Sequence, residues 1–257
     1  MYRNTNCKLQ AHRGVSTEAP ENTMIAFRMA VEQGYDIIEF DPKMTKDNVP
    51  ILLHDRTLNR TGRVAGVPFG EEKVRIADLN FADLADIDVG EWFDKKYAGV
   101  HIPTLSQALD YMKSVGVEAK IDNVVQRFTP EQIDIVFDVV EKHGAENVGL
   151  TCSELPLLKK FAERFPKAPL HYDGPADEAS LRELASFAKG HKTTVWSRQD
   201  NKRTAWCKVP PVDAEISARI KDFGFLLGIW ILGDDQEMAE ALKFGADIVE
   251  TTGGIKP

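Results

Sequence analysis

Short apolar runs alternate with amphipathic segments from one end of the chain to the other. Most of the apolar runs are continuous, which is typical of β-strands buried on both faces. The predicted strands are residues 8–11, 36–41, 117–121, 147–151, 169–172, 193–196, 225–231 and 247–250. The predicted helices are residues 23–33, 105–114, 130–143, 155–165, 178–189, 212–223 and 236–244. Eight strands that alternate with helices over a chain of this length indicate an α/β fold, a TIM (β/α)8 barrel.

A doubly wound open sheet is the alternative α/β fold, but no glycine-rich nucleotide loop follows the first predicted strand. A further apolar run, residues 50–54, is separated from strand 2 by the short polar link TKDN. Such a link is too short for a parallel crossover but suits a hairpin turn. We therefore interpret residues 50–54 as an antiparallel excursion. Residues 55–103 are then a small capping insertion after strand 2, within a single barrel domain of residues 1–257.

Composition narrows the possible partners and the cellular compartment. The 257 residues carry a formal net charge of −8, which argues against binding to nucleic acid or to an anionic membrane surface. Cys7, Cys152 and Cys207 are widely spaced and form no CxxC motif, as is usual in a reducing compartment. We see neither a signal peptide nor an apolar run of about 18 residues. We therefore expect a cytoplasmic protein without stable membrane insertion; the sequence leaves its oligomeric state open.

Charged side chains follow several predicted strands at the end where barrel active sites lie. Glu39 and Asp41 alternate onto one face of their strand, as Glu118 and Lys120 do on theirs. If these faces point to the barrel axis, the polar groups converge on one mouth. The residues predicted to meet there are His12, Arg13, Glu39, Asp41, His54, Glu118 and Lys120.

Three carboxylates facing one axis repel each other and lose hydration, so a compensating cation is expected. Hard oxygen ligands favour Mg²⁺ or Ca²⁺ over zinc. Two histidines can act as acid and base near neutral pH, and a metal with Arg and Lys can bind a phosphoryl group. Each residue also fits an ordinary structural role, since Lys120 could simply pair with Glu118. The joint pattern is what favours a functional site.

Several motifs stand in order along the chain, including HRG at 12–14, PENT at 20–23, EFD at 39–41, TKDNVPILLHD at 45–55 and LNRTG at 58–62. Thinner matches follow at WF (92–93), IPTL (102–105), VEAK (117–120), GIWIL (228–232) and FGADIVET (244–251). In order and spacing these motifs resemble the glycerophosphodiester phosphodiesterase family over most of the chain.

The resemblance implies a TIM barrel that hydrolyses a small-molecule glycerophosphodiester to sn-glycerol 3-phosphate and an alcohol, with a divalent cation, Mg²⁺ or Ca²⁺. Segment 55–103 matches the family's capping segment. The roles implied are acid–base catalysis by His12 and His54, metal binding by Glu39, Asp41 and Glu118, and substrate binding by Arg13, Lys120 and Trp230. We favour attack by the neighbouring glycerol hydroxyl to form a cyclic phosphate, with direct attack by water as the alternative.

Departures from the family pattern leave the alcohol undefined. The last strand ends in ETTGG, strand 4 is followed by TCS at 151–153, and the polar loop 197–211 has no match. That loop holds Arg198, Lys202 and Arg203, which could contact an anionic head group or simply be solvated. A lysophospholipase D or C activity on lipids would need an apolar surface at the mouth. A non-catalytic binding module would not need the two histidines, and a barrel isomerase or lyase does not explain HRG together with HD.

Overall fold

The computed structural model describes residues 6–199 and 209–257. Parallel strands form a closed barrel in which each strand pairs with the next along the chain and the eighth pairs with the first. This confirms the predicted (β/α)8 barrel. The strands are β1 (Lys8–Ala11), β2 (Ile37–Phe40), β3 (Glu118–Ile121), β4 (Val148–Cys152), β5 (Leu170–Tyr172), β6 (Thr193–Arg198), β7 (Leu226–Leu232) and β8 (Ile248–Thr251).

Helices follow the strands and cover the outside of the barrel with their apolar faces. Aromatic contacts such as that between Phe137 and Phe161, with ring centroids 5.3 Å apart, join neighbouring helices. The ends are set by local chemistry: the first helix begins where the Thr23 hydroxyl accepts from the Ala26 amide, and it ends at Gly34. The helices are α1 (Met24–Gln33), α2 (Leu105–Val115), α3 (Pro130–His143), α4 (Leu155–Arg164), α5 (Glu178–Phe187), α6 (Ala214–Asp222) and α7 (Asp235–Lys243).

The predicted hairpin after strand 2 is confirmed, since Pro42–Met44 pairs antiparallel with Pro50–Leu52. The segment that follows includes a two-stranded ribbon, Arg63–Val64 with Val67–Pro68. It also has a small apolar core of its own, made by Ile51, Leu53, Leu58, Ile76, Leu84, Ile87, Val89 and Ile102. The insertion therefore packs as a compact cap beside the barrel strands.

The sequence pattern over residues 76–87 predicts one short helix, but the structure has two 3₁₀ segments, Ile76–Asp78 and Phe81–Leu84. The reason is the capping box at Asn80, whose backbone amide donates to Asp83 over 2.8 Å. This cap starts a new segment instead of continuing the first.

The polar loop is described only at its two ends. Arg198 is nearly buried, and its Nε donates to the Val209 carbonyl over 3.1 Å. Lys202, Arg203 and Cys207 lie outside the described residues. Within residues 6–199 and 209–257, none of the helices has the length and apolar character that crossing a membrane requires.

Candidate active site

The turn after β1 positions the first two site residues. Arg13 and Gly14 adopt left-handed backbone conformations, with φ of 58° and 78°. A Cβ on Gly14 would lie 2.7 Å from Ala26 Cβ, so glycine permits a close approach of this turn to α1. In this conformation the Arg13 backbone amide donates to Glu39 Oε2 over 2.9 Å. The HRG motif therefore joins the ends of β1 and β2 at the mouth.

Three carboxylates meet where β2 and β3 end. Glu39, Asp41 and Asp122 can each offer an oxygen within 4.8 Å of the others. The strand register aligns Phe40 with Ile121, and the Asp122 amide donates to the Phe40 carbonyl over 3.1 Å. Asp41 and Asp122 are consequently neighbours across two paired strands.

The electrostatics of this acidic cluster indicate a place for a cation. Burial, together with Asp41 and the other nearby carboxylates, raises the pKa of Glu39 well above its usual range. Burial and Asp41 also raise the pKa of Asp122. Burial would likewise raise the pKa of Asp41, but Arg13 and the other nearby cations, with a hydrogen bond from Asn22, lower it. A divalent cation would offset this repulsion, and an all-oxygen donor set suits Mg²⁺ or Ca²⁺.

The structure does not bring Glu118 to this cluster. Glu118 shares the inward face of β3 with Lys120. Because Glu118 is the first residue of the strand, its side chain lies toward the amino ends of the barrel strands. Its carboxylate is 2.7 Å from Lys192 Nζ and 3.3 Å from His171 Nε2. Asp122, four residues further along the same face, occupies the place that the sequence analysis assigned to Glu118. The alternation was correct, but the position along the strand was wrong.

Inside the barrel Glu118 forms an ion pair with Lys192, and His171 lies beside it. Trp196 Nε1 donates to His171 Nδ1 over 3.2 Å, which leaves the ring proton of His171 on Nε2, the nitrogen that lies 3.3 Å from Glu118 Oε1. Burial alone would raise the pKa of Glu118, but His171 and Lys192 lower it to about 2. Glu118 therefore has the environment of a structural counter-ion.

His12 follows β1 and lines the mouth pocket. Burial lowers its pKa, although Glu250 acts in the opposite direction. Its Nε2 lies 4.0 Å from Glu250 Oε1, while Nδ1 has no hydrogen-bond partner among the described residues. A neutral imidazole at pH 7 follows, with a nitrogen able to accept a proton.

His54 follows the second strand of the hairpin, lines the same pocket as His12, and is held by a chain of polar contacts. Its Nδ1 is 2.7 Å from Asp55 Oδ1, and Arg60 Nε donates to Asp55 Oδ2 over 2.7 Å. Burial would raise the pKa of Asp55, but the hydrogen bonds from Arg60 and His54 lower it, so Asp55 is ionised. Asp55 must then accept the Nδ1 proton, which leaves His54 Nε2 for other chemistry.

Lys120 is buried at the base of the same pocket. Its Nζ lies 3.0 Å from Glu250 Oε2 and 4.0 Å from the centre of the Trp196 ring. Gln10 also donates to the Glu250 carboxylate. Burial acts to lower the pKa of Lys120, but Glu250 and the neighbouring carboxylates raise it, so Lys120 stays charged. Two donors of the ammonium group remain for other acceptors.

These side chains share one cavity of about 680 Å³. Arg13 lines it, with Nε 3.2 Å from Asp41 Oδ2, and so does the half-buried Trp230 of β7. Of the predicted site residues, all but Glu39 and Glu118 line this cavity, and Glu39 is joined to it through the hydrogen bond that its carboxylate accepts from the Arg13 amide.

Four residues that shape this site were not predicted as site residues from the sequence. Asn22 of PENT donates to Asp41 Oδ2 over 2.8 Å, and Asp55 of the HD pair orients His54. Both lie within quoted motifs, so the motifs carried the signal. Asp122 could have been predicted by continuing the alternation of inward-facing residues one step beyond Lys120. Glu250 lies at the end of the predicted last strand, within the FGADIVET motif, but its pairing with Lys120 is recognisable only once β8 is placed beside β1.

Fold and site together define a (β/α)8 barrel protein that has two histidines and a cluster of carboxylates suited to a cation at the carboxyl-end mouth. Comparison with known proteins makes the assignment specific. A sequence profile of the glycerophosphoryl diester phosphodiesterase family matches residues 12–251. The chain belongs to this family.

Individual relatives agree with the family match. YhdW of Bacillus subtilis is 30% identical over 164 residues, which is 62% of this chain and 62% of its own length. The glycerophosphodiester phosphodiesterase of Caldanaerobacter subterraneus is 31% identical over 142 residues, 49% of this chain and 55% of that protein. The chain thus spans only about half to three-fifths of the length of these curated relatives.

Among solved structures, an Oleispira antarctica phosphodiesterase in complex with the product sn-glycerol-3-phosphate superposes with a TM-score of 0.77. The match covers 96% of this chain and 93% of that one, at 21% identity. At this identity the likeness shows a common fold.

Proposed function

We propose that this protein hydrolyses glycerophosphodiesters to sn-glycerol 3-phosphate and an alcohol, with a divalent cation and two histidines. The observation that carries the proposal is that His12, His54, Asp41 and Asp122 line one pocket, and that Glu39 completes an acidic cluster with the two aspartates. The names of the family and of the Caldanaerobacter relative support the reaction class, and the product bound to the Oleispira phosphodiesterase supports the product.

In this proposal Glu39, Asp41 and Asp122 hold the cation, Mg²⁺ or Ca²⁺, and Asp122 takes the role first expected of Glu118. When bound, the cation offsets the negative charge of the phosphodiester and of the transition state. Asn22 and Arg13 keep Asp41 oriented and ionised through their contacts with its carboxylate. The acidic cluster is thereby prepared before any ligand arrives.

Phosphate binding falls to the cations that line the pocket. Arg13 lies beside the acidic cluster, and Lys120 keeps donors free beyond its contact with Glu250. Their charges bring the phosphodiester anion to the mouth and stabilise charge that develops on its oxygens. Trp230 offers an apolar face on β7 for the carbon atoms of the glycerol.

The two histidines carry the protons. His12, kept neutral by burial, accepts the proton of the glycerol 2-hydroxyl as its oxygen attacks phosphorus. For this step His54 carries a proton on both ring nitrogens: Asp55 accepts from Nδ1, and Nε2 donates its proton to the departing alcohol oxygen as the bond from that oxygen to phosphorus breaks. Water then opens the cyclic phosphate: His54 takes the proton from the water, and His12 returns its proton to the 2-oxygen. Both histidines end in their starting states.

The test is an assay of glycerol 3-phosphate release from glycerophosphoethanolamine and glycerophosphocholine by EDTA-treated protein, with and without Mg²⁺, Ca²⁺ or Mn²⁺. We expect release only with metal, and transient cyclic glycerophosphate in the ³¹P NMR spectrum. Release without the cyclic species would select direct attack by water. Absence of release with every cation would contradict the proposed reaction.

Lipid diesters are a less favourable substrate class. Most side chains that line the pocket are charged or polar, whereas an acyl chain needs an apolar surface at the mouth. Lysophospholipids in the same assay are therefore expected to release less product than glycerophosphodiesters.

A further inference from the structure

One wall of the pocket takes no part in the proposed chemistry. It is formed where β3, β4 and β5 end, by Asn123, Thr151, Ser153 and Asp173, and we call it the polar wall. Because the barrel closes in sequence order, β5 lies opposite β1. The polar wall therefore faces His12 and Arg13 across the mouth.

Asp173 is the charged member of the polar wall and is about nine-tenths buried, with 9% of its surface exposed. Asn123 donates to its Oδ2. Its Oδ1 has no hydrogen-bond partner among the residues that the structure describes. Burial raises the pKa of Asp173 to about 6, so at pH 7 most molecules carry the charge. A buried carboxylate oxygen without a donor is costly, and a ligand that supplies the donor offsets this cost.

Thr151 provides a second unfilled group. It is buried in β4, and its hydroxyl also lacks a partner within the described part of the chain. β4 pairs with β5 so that Thr151 lies beside His171, two residues before Asp173. The two unfilled polar groups are therefore on neighbouring strands and on the inward side of the barrel.

Asp173 is the one buried charge of the polar wall. The other charged residues nearby are exposed, paired with another residue, or part of the acidic cluster. Arg127 and Glu154 line the rim, but both are exposed and their charges are opposite. Lys120 lies at the base of the pocket and is paired with Glu250. Asp122 belongs to the acidic cluster. A ligand that reaches the polar wall thus meets one buried negative charge with an open acceptor site.

Resting on the proposed function, we propose that the polar wall is the subsite for the leaving alcohol and that it selects a primary amino alcohol. The ammonium group donates to Asp173 Oδ1, while Thr151 stands beside it. The anionic phosphate meets Arg13 on the opposite side, so the charges of the substrate match those of the pocket. Choline presents no N–H group and leaves Oδ1 unfilled, and a polyol supplies a hydroxyl donor without the charge.

The experiment compares kcat/KM for glycerophosphoethanolamine, glycerophosphocholine and glycerophosphoglycerol. For the wild type we expect at least a tenfold preference for the ethanolamine diester over the other two. In Asp173→Asn, which keeps the shape, we expect kcat/KM to fall about tenfold or more for the ethanolamine diester and less than threefold for glycerophosphoglycerol. Asp222→Asn, which removes one negative charge from the exposed end of α6, is the matched control and should leave all three values unchanged.

A wild type that prefers the polyol or the choline diester would overturn the subsite, and so would an equal loss for all three substrates in Asp173→Asn. The wild-type preference needs no variant, so it decides the question even if Asp173→Asn folds poorly.

A measurement of diester binding distinguishes failure of the proposed subsite from failure of the proposed reaction. Calorimetry with Ca²⁺ measures the affinity of His54→Ala for glycerophosphoethanolamine and glycerophosphoglycerol, with Asp173 present or changed to Asn. If no diester is hydrolysed, the proposed function fails, but tighter binding of the ethanolamine diester that depends on Asp173 still supports the subsite. Equal affinities, or no binding of either diester, overturn it.

Discussion

The placement of Glu118 away from the acidic cluster gives a prediction that separates folding from metal binding. In Glu118→Gln the charge opposite Lys192 and His171 is lost. A pKa near 2, against 4.5 for a free glutamate, corresponds to roughly 3 kcal/mol of native-state stabilisation at neutral pH. Since the Lys192 side chain is 34% exposed, solvent screening reduces this to about 1 to 3 kcal/mol. The melting temperature should then fall by about 2 to 10 °C.

Asp122→Asn should behave in the opposite way. It removes one of the carboxylates that raise the pKa of Glu39, so the metal-free protein should melt at the same temperature as the wild type or slightly higher. The metal concentration for half-maximal activity should rise at least tenfold, as loss of a ligand implies. Glu118→Gln should leave this concentration within about twofold of the wild-type value, since its carboxylate lies among Lys192 and His171.

The assay pairs differential scanning calorimetry in EDTA with metal titrations of glycerol 3-phosphate release. The stabilisation by Glu118 requires its ionised form, so it is complete above pH 4.5 and is lost as the pH falls toward 2. The difference in melting temperature between wild type and Glu118→Gln should narrow over that range. A raised metal requirement in Glu118→Gln with unchanged melting would refute the reasoning and return Glu118 to the set of metal ligands.

Further predictions follow from the same geometry. His12→Ala and His54→Ala should each lower kcat by about 10² to 10⁴-fold in the metal-dependent assay, and unchanged turnover in either would remove it from the proposed mechanism. Addition of Ca²⁺ or Mg²⁺ at about 100 times its Kd should stabilise the EDTA-treated protein by roughly 2.7 kcal/mol, seen as a higher melting temperature; no shift would argue against a cation at the acidic cluster. Glu250→Gln leaves Lys120 without its closest counter-ion and should cost about 3 to 5 kcal/mol in denaturant unfolding. The double variant Lys120→Met/Glu250→Gln should recover part of that loss, and a double variant no more stable than Glu250→Gln would contradict the pairing.

The acidic cluster also explains why several charged side chains lie inside the barrel. Carboxylates at the ends of β2 and β3 repel each other, so Arg13, Lys43 and Lys120 surround them at short range. The charge of Lys120 is in turn balanced by Glu250, which lies on β8, the strand that pairs with β1. Removal of Lys120 or Glu250 leaves the other buried without its closest counter-ion, which couples the stability of the mouth to its chemistry.

The barrel could be predicted from the sequence alone, because continuous apolar runs and helix amphipathicity are local patterns that can be read without knowledge of distant contacts. The same holds for the HRG turn, the EFD pair and the HD pair, since each lies within a few residues of one strand end. The hairpin of Pro42–Met44 with Pro50–Leu52 was predictable for the same reason, since the five residues 45–49 between the two strands are too few for a parallel crossover.

The sequence could not show which acidic residue, Glu118 at the start of β3 or Asp122 just after its end, joins Glu39 and Asp41. Alternation fixes the face of a strand but not the height in the barrel, and that height depends on the register between β2 and β3. The roles of Glu250 and Asp173 likewise emerged only when strands distant in sequence were placed beside or opposite one another. Their roles depend on burial and on the charges of other strands, and these quantities exist only after the barrel has closed.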